Sequence, residues 1–190
     1  MKGHLLRSAL ALTLLLLACD MLPTDEFEPT GTQFNLNSNI DVISITGNPD
    51  EAPNGPMRLD MTVVSRTSSV ESATLPAGLL FRRRSNQTQH VLLLKAHPVT
   101  ATTTNRREII GGFCCNQKRD APGVGDTFDI GPITDNTDLQ QLVSLVQHKD
   151  ISRAADMYMV QHAVYMVTDS TGLTLAYIDS LNALPADTTD

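Results

Sequence analysis

The spacing of apolar residues changes once along this 190-residue chain, and that change constrains the fold more than anything else in it. Met57, Leu59, Met61 and Val63 alternate with Arg58, Asp60 and Thr62. A period of two sends alternate side chains to opposite faces of a strand and buries one face. Past residue 137 the period lengthens. Leu139, Leu142, Val143 and Val146 recur at intervals of three and four, which is one side of a helix.

Other stretches sort on either side of that break. Residues 40–46 ("IDVISIT"), 77–81, 90–96, 107–116 and 126–131 read as strands, and residues 47–56, rich in Asn, Pro and Gly, as a loop. Thr137 with Gln140 three positions later has the pattern of a capping box opening the first helix. Residues 152–169 form a second helix, ended near Gly172, and residues 174–184 a shorter third. The expected fold is α+β: antiparallel β-sandwich-like strands followed by two or three packed helices.

The amino terminus indicates the compartment. Lys2 and Arg7 precede an apolar run over residues 10–17, too short to span a bilayer and of the kind that directs export. It ends in "LLAC", residues 16–19, which resembles the lipobox of bacterial lipoproteins. That resemblance implies cleavage before Cys19, a diacylglycerol on its sulfur, and a protein held on a membrane of the cell envelope, facing the periplasm or the exterior. Asp20 resembles an inner-membrane retention signal of some Gram-negative bacteria. The expected organisation is a signal peptide at 1–18, lipidated Cys19 with a polar, flexible tether to residue 38, one globular domain at 39–184, and a frayed tail at 185–190.

Charge and composition exclude several functions. The net charge is −7, and loss of the signal removes Lys2 and Arg7 while keeping every acid. With aromatics at 4% and no tryptophan, nucleic acid is not an expected partner. His90, His97, His148 and His162 lack metal-ligand spacing, and no Ser-His-Asp pattern or phosphate loop is present. No metal, no cofactor and no enzymatic activity are expected. Arg82, Arg83 and Arg84, beside a turn, read as a solvated edge or ion-pair site.

Two cysteines remain, Cys114 and Cys115, side by side in a strand. Their Cα atoms stand about 3.8 Å apart, below the ~4.4 Å at which ordinary disulfides begin, so a bridge between them is not expected. Alternation places Cys115 with Phe113 on one face and Cys114 on the other. In the second helix Ala154, Met157, Tyr158, Val164, Tyr165 and Thr168 define a stripe with Gln161 in its middle. A buried amide must find partners. It bonds either to sheet backbone or meets a strand cysteine.

These residues resemble the bacterial surface thioester domains. The family carries an aromatic-or-leucine, Cys, hydrophobic, polar motif, matched by Phe113, Cys114, Cys115 and Asn116. A later hydrophobic-Gln-x-x-aromatic motif on a helix is similar to residues 160–165, "VQHAVY", with Val164 in place of one of two aromatics. Related exported domains place an "LPAG" strand (here residues 75–78) before the cysteine strand and a "P-x-x-G" turn (residues 122–125) after it. The resemblance implies that Cys114 is the nucleophile and Gln161 the acyl donor of an internal thioester. Phe113, Cys115, Met157 and Tyr165 would form its supporting shell, and a protein or amine-bearing surface would be its partner. It implies attachment or assembly, the alternative being a non-covalent interaction lipoprotein on a degenerate fold of that type.

Overall fold

The computed structural model describes residues 26–169 and 172–188. Residues 1–18, read above as an export signal, and Cys19 lie outside the described residues. Nine strands precede three helices within them: β1 (Gly31–Gln33), β2 (Ile40–Asn48), β3 (Met57–Ser65), β4 (Glu71–Leu75), β5 (Leu79–Arg83), β6 (His90–Leu92), β7 (His97–Ala101), β8 (Arg106–Cys115), β9 (Phe128–Thr134), α1 (Thr137–Val146), α2 (Ala154–Thr168) and α3 (Leu175–Asn182). The fold class is α+β, as the change of period predicts.

Seven strands form one antiparallel sheet in the order β1-β9-β5-β6-β8-β3-β2, while β4 and β7 pair separately. The sheet curls until β2 meets β9 again. The Gly47 amide donates to the Asp126 carbonyl at 2.9 Å, and Thr46 bridges Thr127. The sheet thus has two buried sides. Leu59, Met61, Phe81, Val91 and Ile110 fill the concave side together with Leu75, Val99 and Ala101 of the β4–β7 pair. Leu80, Leu92, Phe113 and Cys115 face the other way, against Leu139, Leu142, Val160 and Val164 of the helices. Alternation along β8 separates Phe113 and Cys115, in the helix-side core, from Ile110 on the concave side.

Close approach explains the glycines just before the cysteines. A Cβ on Gly111 would lie 1.9 Å from the carbonyl oxygen of Pro53, because the 52–55 turn rides directly over β8.

Several expectations need correction. Residues 26–38 are no flexible tether: β1 pairs with β9, and residues 26–29 are pinned to arginines of the domain. The carboxyl-terminal end is tied down as far as Asp187, which ion-pairs with Lys95 and donates its amide to the His148 carbonyl. The cap of α1 is Asn136, whose side-chain oxygen accepts from the amides of Asp138 and Leu139, and Gln140 reaches the Thr134 carbonyl instead of closing a capping box. Residues 75–78 form the link from β4 to β5, with Gly78 at φ 86°, and three strands intervene before β8. Strands β1, β4 and β7 escape the sequence reading because they are short and offer little apolar alternation.

Candidate functional site

Strand β8 changes neighbours in its last turn of pleat. Its residues up to Gly112 pair with β3, whose first residue, Met57, stands opposite Gly112. Phe113, Cys114 and Cys115 pair only with β6, opposite Leu92, Val91 and His90. Past Gly112 the β3 side of the strand therefore has no strand partner among the described residues. Backbone groups buried there must be satisfied by other means.

Helix α2 supplies them. The Cys114 amide donates to Gln161 Oε1 at 2.9 Å, and Gln161 Nε2 donates to the Cys114 carbonyl at 2.8 Å. One carboxamide thus reproduces a rung of the missing strand. Two helical turns on, Thr168 Oγ1 accepts from the Asn116 amide at 3.3 Å, which is the next rung. Residues seven apart on a helix share a face, so α2 runs its Gln161–Thr168 face along the edge that β3 leaves open. Of the two alternatives for Gln161 this is the first: it bonds sheet backbone, and that backbone belongs to Cys114.

The thiol of Cys114 is 2% exposed and free. Burial pushes it up to about 12, and the Tyr165 hydroxyl, donating to the sulfur, works in the opposite direction. Tyr165 is itself raised to about 12, first by burial and then by its closeness to Cys114, with Gln89 acting in the opposite direction. Gln89 and Tyr165 are thus the polar groups nearest the buried thiol. Cys115 faces the helix-side core beside Phe113 and Met157, and burial drives its thiol well above the ordinary value. It is a packing residue.

The structure brings Cys114, Gln161 and Tyr165 together, with Phe113, Cys115 and Met157 in the adjoining core. The stripe on α2 is rotated from the expected one: Ala154 is exposed and Tyr158 is 58% exposed, while Val160, Ala163 and Val167 are buried. Met157 and Val164 remain buried with them in the helix-side core, and Gln161 still reaches the strand edge. Sequence reasoning missed Gln89, which is buried, and the rung made by Thr168; it named the buried Asn116 only as the polar position of the cysteine motif. The seven-residue step from Gln161 to Thr168 is the signal that could have found that rung.

Among the described residues no group of three or more His, Cys, Asp or Glu is placed to hold a metal ion. A groove of about 490 Å³ lies between β2 and β9, lined by Ile43, Ile45, Arg84, Phe128 and Asp129, and contains none of the site residues. No known family model matches the chain, and neither do the curated proteins or the solved structures.

Proposed function

We propose that the chain is a lipid-anchored protein of the bacterial cell envelope, used for attachment or assembly, in which Cys114 and Gln161 join in an internal thioester that an amine can open. The observation that carries this reading is the double hydrogen bond between the Gln161 carboxamide and the backbone of Cys114. It holds the amide against the residue whose thiol would attack it, and such positioning removes much of the entropic part of a barrier.

The chemistry balances without any co-reactant. Sγ of Cys114 bonds to Cδ of Gln161, the Cδ–Nε2 bond breaks, and the nitrogen leaves as ammonia with the thiol proton. The Cys114 amide, already donating to Oε1, would stabilise negative charge building on that oxygen. Tyr165 would stabilise the sulfur anion that burial disfavours. Near-complete burial of Cys114 keeps water from hydrolysing the product. Anchoring through Cys19 and export rest on the lipobox-like residues 16–19.

A second reading has an observation of its own. Gln161 and Thr168 together complete the open edge of β8, a structural task that needs no reaction. On that reading the protein is a non-covalent interaction lipoprotein. Methylamine separates the two. The covalent reading expects methylamine to add at Gln161 and release one thiol. Cys114→Ala should abolish that adduct and Cys115→Ala should leave it. Two thiols that titrate on denaturation, with no adduct at Gln161, would leave the structural reading in possession.

A further inference from the structure

Residues 26–29 cross the domain surface with no strand pairing of their own, yet the domain holds them at every step. The Glu26 carboxylate is gripped by Arg83, with both terminal nitrogens at 3.1 Å, and by the Arg119 guanidinium. The Phe27 carbonyl accepts from Asn116 Nδ2 at 3.0 Å, and its ring packs on the helix-side core. Glu28 accepts from Arg83 at 3.3 Å, and the Pro29 carbonyl from Arg82 at 3.0 Å. This is how a protein reads an extended ligand: paired guanidiniums for carboxylates, side-chain donors for carbonyls, and an apolar seat for one aromatic ring.

The groove is built and does not tolerate standing empty. The Arg83 side chain is 5% exposed, and a buried guanidinium without an anion is strongly disfavoured. Among the described residues the buried His90 Nε2 has no hydrogen-bond partner, and it lies 3.6 Å from the Glu28 carboxylate, so it too faces the segment. Asn116 connects the groove to the candidate site: its side chain holds Phe27, while its backbone amide is the Thr168 rung, two residues past Cys114.

We infer that Arg82, Arg83, Arg119 and Asn116 form a binding site for an extended acidic-aromatic peptide, that residues 26–29 fill it in cis, and that this strap controls access to Cys114. The importance of that access rests on the thioester reading, but the site itself does not. Release of the strap frees the Asn116 side chain, loosens the last rung on α2, and opens the end of β8 to small molecules.

The test uses the chain from residue 20 onward carrying Glu26→Ala and Phe27→Ala, and a capped peptide of residues 26–30 as probe. The doubly substituted chain should bind the peptide saturably, and further replacement of Arg83 and Arg119 by Met should abolish binding. Access is read at Cys114 by peptide mapping. Iodoacetamide reports it where the thiol is free, and methylamine where it is joined to Gln161, so the readout does not depend on which state exists. Modification should be roughly tenfold faster, or more, than in the unsubstituted chain, and the peptide should slow it again. Glu26→Gln, which keeps shape and removes charge, should give a smaller acceleration with cooperative unfolding retained. Absence of saturable peptide binding would overturn the site. Equal rates at Cys114 with and without the strap would overturn its control of access, whether or not the thioester forms.

Discussion

Replacing Gln161 by leucine is expected to destabilise the domain by about 3 kcal/mol. Leucine fills nearly the same volume but has no polar atom. The Cys114 amide and carbonyl would then be left facing a buried edge with no strand beside them. Each orphaned backbone group costs about 1–3 kcal/mol, and two are created at once. Urea unfolding should show a lower midpoint with an unchanged slope. Gln161→Glu sharpens the test through pH. A carboxylate there accepts from the Cys114 amide but opposes its carbonyl, whereas the neutral acid can donate to that carbonyl. Burial and that carbonyl should raise the folded pKa of the glutamate above the ordinary value of about 4.3. The stabilising contribution of the protonated acid is then fully present below about pH 4.3 and is lost as pH rises through the folded value. The variant should therefore approach wild-type stability in acid and fall away from it toward neutrality. Parallel curves for variant and wild type across that range would contradict the rung.

Gly111→Ala should cost about as much, roughly 3 kcal/mol, for a different reason. The added methyl would meet the Pro53 carbonyl at 1.9 Å and the Gly55 amide nitrogen at 3.0 Å, both backbone atoms in a turn that has no flexible side chain to move aside. Either the 52–55 turn lifts or β8 shifts, and a shift of β8 displaces Cys114 three residues on. Loss of stability should thus be accompanied by loss of whatever chemistry Cys114 performs. Gly123→Ala is the control: its Cβ would find the nearest atom at 3.7 Å, an ordinary contact, and its midpoint should stay within about 0.5 kcal/mol of wild type. A Gly111→Ala chain as stable as the control would mean that the turn does not sit on β8.

Local patterns carried the legible part of this molecule. The alternation in residues 57–63 and the three-four spacing after residue 137 give the order of strands and helices, because each segment buries its own apolar side. Gln161 is legible because it is the amide inside an apolar stripe, and the alternation around Cys114 separates it from Phe113 and Cys115. What the sequence hides is long-range. Glu26 finds Arg119 across 93 residues, and no period or composition announces such a pair. The arginine run at 82–84 reads as a solvated edge or an ion-pair site, and only the fold shows that Arg83 makes its ion pairs buried under the strap. The closure of β2 onto β9 is equally silent, since it depends on the curl of the whole sheet. The exact rotation of α2 depends on the helix-side core taking Val160, Ala163 and Val167, which is why the expected stripe was displaced and Tyr158 came out exposed.

Intact mass measured on the domain from residue 20 onward, purified without reductant and denatured in acid, tests the central claim most directly. If Cys114 and Gln161 are joined, the mass falls short of the sequence value by one ammonia, and the deficit disappears in both Cys114→Ala and Gln161→Ala. A protein of full sequence mass, with Cys114 and Cys115 both titrating as thiols, would contradict the thioester and leave Gln161 as a rung on the edge of β8.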